Sequence, residues 1–237
     1  MLTPSVVKIV AHNMKRGNEA ARVFEIANVF IPNEQPVTTI PTENQRFAFG
    51  LYGDDEDFFT AKGMLDAVAE DFGVSFTYEK ETKTFLHPGV SAAVKCNGKK
   101  IGFLGQLSYE VAEDAEITKK CYFGEIDYDA LMKLSEESCK YVPVSPFRSV
   151  KRDLALVAEE ATTCGEIEAV IRDACKAVTD IRLFDVYRSE AIGAGKKSMA
   201  FAITFAAGNT ELMPEDCDKY VNKILKALEY KIGIKLR

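Results

Sequence analysis

Three stretches of this 237-residue chain combine residue types that could do chemistry. Arg22 and Glu25 form a lone R-x-x-E on an apolar run, an arginine able to hold a phosphate and an acid able to hold a metal ion. No G-x-G-x-G run followed by Arg supplies a second arginine, so the pair reads as outward polar residues of an alternating strand. Gly193 to Ser198 (GAGKKS) looks like a phosphate loop, but that pattern needs Gly where Glu190 stands and Ser or Thr where Lys197 stands. It reads instead as a hairpin loop with two lysines. His12 and His87 are far apart and have no Ser, Cys or Asp companions that would make a nucleophile's triad, so each reads as a surface or interface residue. What remains is cationic. Arg148, Lys151 and Arg152 lead into one apolar run, and Tyr187, Arg188, Lys196 and Lys197 share one hairpin. Cations beside an aromatic ring are the groups that meet phosphates and stack on unpaired bases.

The elements that must carry this set lie between Val150 and Arg237. Arg152 to Ala158 (RDLALVA) suits a buried strand. Thr163 and Glu166 form a capping box that opens a helix with Ile167, Val170, Ile171, Ala174 and Val178 on one stripe. Ile181 to Arg188 and Ser198 to Phe205 read as a hairpin around the loop Ser189 to Lys197. In its second strand Met199, Phe201, Ile203 and Phe205 alternate with Ser198, Ala200, Ala202 and Thr204, so the large side faces a core. Pro214 opens a second helix, with Cys217, Tyr220, Val221, Ile224, Leu225 and Leu228 on its apolar face, and Gly233 ends it before a last short strand. The order βαββαβ is the ferredoxin-like split motif, whose second sheet face stays open. Such a face serves RNA, small ligands or another protein, and the fold alone does not choose among them. The third strand offers that face only Ala200, Ala202 and Thr204, so Tyr187 is the best stacker left.

The earlier part reads as mixed α+β with a mainly antiparallel sheet. Thr3 is placed to cap a helix with Pro4 in its first turn and Val6, Val7, Val10 and Met14 on one side. A helix that opens with no lead-in reads as part of a piece cut from a longer polypeptide, and the partner of its stripe is expected outside this chain. Strands follow at Arg22 to Ile31 and Arg46 to Tyr52, then a helix from Asp57 to Gly73. Asn97-Gly98 joins two strands in a two-residue hairpin, because both turn positions want positive φ. A short helix near Tyr109 to Asp114 and a strand Cys121 to Tyr128 complete this part. The polar, proline-bearing Lys133 to Phe147 reads as a linker, giving domains 1–142 and 143–237.

A hydrophobic share of 47% is enough for two cores, and no apolar run approaches a membrane span. No basic-then-apolar leader precedes the first helix. From Pro143 onward 15 Lys and Arg face 14 Asp and Glu, so the net charge of −6 comes from the earlier part. Neither part is the strongly basic body of a free-standing nucleic-acid binder, and RNA would be met by a local patch. Six cysteines without C-x-x-C spacing read as reduced thiols of a cytoplasmic protein, with no metal ligated.

Several runs carry a family resemblance. FRSVKRDLAL at Phe147 to Leu156, RLFDVYR at Arg182 to Arg188 and GKKSMAFAITF at Gly195 to Phe205 resemble the anticodon-binding domain that ends the bacterial phenylalanyl-tRNA synthetase beta chain. RVFEIANVF at Arg22 to Phe30, DFFTAKG at Asp57 to Gly63, HPGVSA at His87 to Ala92 and IGFLGQLSYEVA at Ile101 to Ala112 resemble the catalytic-like domain of the same chain. Val90 departs from it, since the family's HPG run usually continues with Arg. The resemblance covers essentially the whole sequence in order. It implies an inactive class II synthetase-like antiparallel sheet domain followed by the ferredoxin-like domain, with no catalytic residue and no cofactor here. ATP and Mg²⁺ belong to the whole enzyme, an α2β2 heterotetramer whose alpha chain carries phenylalanine and ATP. The implied partners are tRNA(Phe), met by Arg148, Lys151, Arg152, Tyr187, Arg188, Lys196 and Lys197, and the alpha subunit, met by the first domain; no membrane is involved.

A rival class is an amino-acid-sensing ferredoxin-like module, which would need a paired domain, whereas the sequence holds one βαββαβ unit and no internal repeat. An acylphosphatase-like enzyme would need a glycine-rich anion cradle beside Arg148 or Arg152, and the sequence has none there.

Overall fold

The computed structural model describes residues 1–135, 145–206, 208 and 211–237. They form two compact units, Met1–Lys140 and Tyr141–Arg237. The expected boundary at 142/143 and part of the expected linker lie outside the described residues.

Unit 1 is a six-stranded antiparallel sheet between helices. In chain order it comprises α1 (Thr3–Lys15), β1 (Ala21–Ile31), β2 (Thr42–Tyr52), α2 (Phe58–Asp71), β3 (Phe76–Lys80), β4 (Leu86–Cys96), β5 (Lys99–Leu107), α3 (Tyr109–Asp114), β6 (Cys121–Asp127) and α4 (Tyr128–Leu134). The strand order is β1-β2-β6-β5-β4-β3. Alternation splits β2 between two cores. Ala48 and Tyr52 pack with Val6, Val7 and Val10 of α1, whereas Phe49 and Leu51 pack with Ala61 and Leu65 of α2. A Cβ at Gly50 would stand 2.9 Å from a methyl of Val6, so glycine lets α1 lie close on the sheet.

Several expectations change here. Thr3 is not the cap of α1: Leu2 holds that position, and no side chain of its own caps the helix. The first amides of the helix are taken instead by Glu125 of β6, whose Oε2 accepts from the Leu2 and Thr3 N–H groups at 2.9 Å each. The apolar stripe of α1 needs no outside partner, because Val6 and Val10 are buried against β1, β2 and β6 within the unit. Glu25 does not point outward with Arg22. Residues three apart on a strand face opposite ways, and Glu25 turns toward the α1 side with a buried Oε2 that has no hydrogen-bond partner among the described residues. Strand β3 and helix α4 carry no expectation from the sequence. The strand expected through Tyr128 stops at Asp127, which caps α4 by accepting from the Ala130 N–H at 2.9 Å. The cap at Asp57 and the Asn97-Gly98 turn form as expected, with φ of 48° and 75° at the turn.

Unit 2 comprises β7 (Val150–Glu159), α5 (Cys164–Ala174), β8 (Val178–Tyr187), β9 (Lys196–Phe205), α6 (Pro214–Ile232) and β10 (Lys235–Leu236). The sheet order β10-β7-β9-β8, antiparallel throughout, is the βαββαβ arrangement. The capping box forms in full, the Thr163 N–H donating to Glu166 Oε2 at 2.7 Å. Val178 leaves the expected helix stripe and starts β8, because α5 ends at Ala174 and the extended Cys175 turns the chain. One face of the sheet is sealed: Leu154, Leu156, Met199, Phe201, Ile203 and Phe205 pack with Ile167, Ile171, Ile224 and Leu228 of the two helices.

Candidate nucleic-acid interface

The other face of unit 2 carries no helix. Register assigns its occupants: Lys151, Asp153, Ala155 and Val157 from β7, Ser198, Ala200, Ala202 and Thr204 from β9, and Asp180, Arg182, Asp185 and Tyr187 from β8. The centre is therefore floored by small side chains, and the large polar groups stand at the edges and ends. A register shift between Leu183 and Asp185 keeps Asp185 and Tyr187 on this face.

The seven sequence-derived residues do not all gather. Lys151 pairs with Thr204 at one end of the sheet, and Lys196 pairs with Glu159 at the other, eight residues along β7. At about 3.3 Å per residue that separates them by roughly 26 Å. Tyr187 lies at the Lys196 end, opposite Ser198. Arg188 follows it and grips Glu160 with two nitrogens, at 2.7 and 3.1 Å. That pair holds the Glu160 carboxyl below its ordinary range and raises the guanidinium's proton affinity, the hydrogen bond between them being the main cause. Lys196 reaches Glu159 at 3.6 Å. Lys197 falls on the helix-facing side of β9 and donates to the Glu160 carbonyl at 2.9 Å. Arg152 also faces the helices, 3.8 Å from Asp218 of α6. Arg148 is exposed ahead of β7.

One occupant of this region has no signal in the sequence. Arg237, just past β10, donates its backbone N–H to the Ala155 carbonyl at 2.8 Å. Its guanidinium carbon stands 5.3 Å from the centre of the Tyr187 ring. A two-residue strand leaves no periodicity to read, so only the fold brings Arg237 beside Tyr187.

In unit 1 the R-x-x-E arginine is committed elsewhere. Arg22 Nε donates to Glu56 at 2.7 Å, and Arg46 pairs with Asp127 at 3.4 Å. Among the described residues no three His, Cys, Asp or Glu side chains converge as metal ligands.

Residues 145–237 match the ferredoxin-fold anticodon binding domain, and residues 1–128 match the phenylalanyl tRNA synthetase beta chain CLM domain. The chain belongs to the phenylalanyl-tRNA synthetase beta-chain family. The CLM match takes in all six strands of unit 1, and the anticodon-binding match all four strands of unit 2. Among relatives, the phenylalanine–tRNA ligase beta subunit of Clostridium acetobutylicum is 36% identical over 98% of this chain and 30% of its own length. That of Streptococcus thermophilus is 34% identical over 100% of this chain and 31% of its own. The chain thus spans about a third of the length of these beta subunits. A pyrrolysyl tRNA synthetase of Desulfitobacterium hafniense superposes with a TM-score of 0.45 at 15% identity, over 56% of this chain and 48% of that one. Among the described residues of this beta-chain family member no helix is long and apolar enough to cross a membrane.

Proposed function

We propose that this chain is a non-catalytic part of a cytoplasmic phenylalanine–tRNA ligase beta subunit, in which unit 2 binds the anticodon arm of tRNA(Phe). The observation that carries the reading is the open sheet face of a domain matched over its whole length to an anticodon-binding family. Arg148, Lys151, Arg152, Arg188, Lys196 and Lys197 are the candidate phosphate contacts, and Tyr187 is the stacker. The geometry favours the Tyr187, Arg188 and Lys196 end, where an aromatic and cations are neighbours; Arg152 and Lys197 face the helices and contribute from the rim. ATP and Mg²⁺ belong to the chemistry of the whole ligase, where ATP would supply the adenylyl group that activates the amino acid and Mg²⁺ would neutralise the phosphate charge. The residues of this chain take no part in that step.

Unit 1 serves as a packing surface for the alpha chain within an α2β2 assembly. In support, the edge strand β1 leaves Phe24, Ile26 and Phe30 exposed at 71%, 45% and 64%, a long apolar edge that a soluble protein ordinarily covers. Co-expression of a full-length beta subunit carrying Phe24→Asp and Phe30→Asp with its alpha subunit tests this, and undiminished co-purification rejects it.

Titration of the 237-residue chain with tRNA(Phe) and with a tRNA of another anticodon, at low and moderate salt, tests the main reading. Salt-sensitive binding that prefers tRNA(Phe) supports it. Equal or absent binding assigns recognition to the rest of the beta chain.

A further inference from the structure

The hairpin loop between β8 and β9 borders a hollow of about 480 Å³ lined by Glu160, Arg188, Ser189, Gly193, Gly195 and Lys196. Arg188 is the first residue past β8 and Glu160 the first past β7, with β9 between these strands. At about 4.8 Å per spacing their backbones are roughly 10 Å apart, so their ion pair reaches across the end of β9. Glu160 is fixed through its backbone: its N–H donates to the Gly195 carbonyl at 2.8 Å, and its own carbonyl accepts from Lys197 at 2.9 Å. Its carboxylate accepts from the Nε and an Nη of Arg188 at 3.1 and 2.7 Å, the fork with which a guanidinium also meets a phosphate. Lys196, at the start of β9, is drawn to Glu159 at 3.6 Å. Ser189 Oγ lies buried beside them and has no hydrogen-bond partner among the described residues. The hollow therefore gathers a guanidinium, an ammonium and an unengaged hydroxyl around one anion, and that anion is the chain's own. Both side chains of the Arg188 and Glu160 pair are about half exposed, so the pair is weak and a ligand can reach it.

We propose that this hollow seats one backbone phosphate of a bound RNA, and that the Glu160 carboxylate is its internal occupant, holding Arg188 until the phosphate displaces it. This rests on the RNA-binding reading above and adds to it a site and an exchange of partners. The phosphate takes over the Arg188 fork and gains Lys196 and the Ser189 hydroxyl as further donors. Such an exchange has a consequence for salt. A phosphate that pairs with Arg188 releases its counterion, but the vacated Glu160 carboxylate takes one up, so this contact adds little to the salt dependence of binding.

Titration of the 237-residue chain with a tRNA(Phe) transcript over a range of salt tests this. Glu160→Gln removes the occupant's charge and leaves Arg188 free for the phosphate. Affinity at low salt is expected to rise about threefold. The slope of log affinity against log salt is expected to steepen by roughly 0.7, the share of one single-strand phosphate. Adding Arg188→Ala to Glu160→Gln should abolish both gains, because the two residues act through one contact. Glu168→Gln removes the same charge from α5, outside the hollow, and should reproduce neither gain. Glu160 and Arg188 stand about half exposed, so their variants fold. A Glu160→Gln protein with its parent's affinity and slope, a gain that survives Arg188→Ala, or an equal gain in Glu168→Gln overturns the phosphate seat and leaves the RNA-binding reading in place. Absence of binding by every form overturns both.

Discussion

Thr3 Oγ1 donates to Glu125 Oε2 at 2.6 Å, across 122 residues of chain. The same oxygen takes the Leu2 and Thr3 amides, so one carboxylate of β6, itself 3% exposed, serves as the N-terminal cap of α1. It also sits where the positive end of the helix dipole points. Removing it strands three donors in a buried place.

Glu125→Ala is therefore expected to destabilise unit 1 by about 3 kcal/mol, and Thr3→Val by about 1 kcal/mol. Urea unfolding measures the totals. Amide exchange should show the first turn of α1 opening before the sheet in both variants; a Glu125→Ala protein as stable as the parent contradicts the tertiary cap.

Gly102 pairs with Ile126 between β5 and β6, and a Cβ there would lie 2.2 Å from the backbone oxygen of Glu125. A backbone atom in a central ladder cannot step aside. Gly102→Ala is expected to cost about 3 kcal/mol or more, or to leave the protein insoluble. Gly63→Ala, on α2 with open space around it, should be neutral or slightly stabilising. A thermal melt in which the two variants coincide would refute this contrast.

Reversing Lys196 and Lys197 together should weaken tRNA binding and lower the slope of log affinity against log salt by roughly 0.7 for each phosphate no longer neutralised. Their positions predict unequal shares. Lys196→Glu should account for most of the weakening, since Lys197 faces the helix side and rests on the Glu160 carbonyl. An unchanged slope in the double variant would remove the loop from the interface.

Glu166 should contribute to the acid limb of stability in unit 2, beside Glu160 and Asp173, whose carboxyls their Arg188 and Lys231 partners also hold low. The Glu166 carboxyl is held below the ordinary range, chiefly by the Thr163 amide and then by its hydroxyl. A folded pKa lower than the unfolded one means the stabilisation is fully present above the ordinary carboxylate pKa of about 4.3 and disappears as pH falls through the folded value. Urea midpoints measured from neutral pH downward should drop in that window. Glu166→Gln, which keeps the capping geometry without a titrating group, should flatten the drop; an equally steep fall in that variant would place the effect elsewhere.

Burial pushes the Cys121 thiol up to about 12, leaving almost no thiolate at neutral pH. Iodoacetamide should leave Cys121 unlabelled in the native chain, while Cys164, the one described cysteine that is not buried, reacts sooner. Mass spectrometry of peptides after timed labelling decides the order.

Much of this protein was fixed by local chemistry. The capping box at Thr163 and Glu166, the cap at Asp57, the Asn97-Gly98 turn and the period-two alternation of Met199 to Phe205 each depend on neighbours within a few residues, so the sequence alone specified them and the βαββαβ order. The family resemblance was legible for the same reason, as contiguous runs. What the tertiary structure alone decided are relationships between distant strands. Register turned Glu25 to the side opposite Arg22, sent Arg152 and Lys197 to the helix side, and set Lys151 about 26 Å from Lys196. Sheet order carried Glu125 to the start of α1 and Arg237 to Tyr187. A capping bond or a stack between such residues leaves no spacing in the sequence, because its partners become neighbours only when the sheet closes the chain between them.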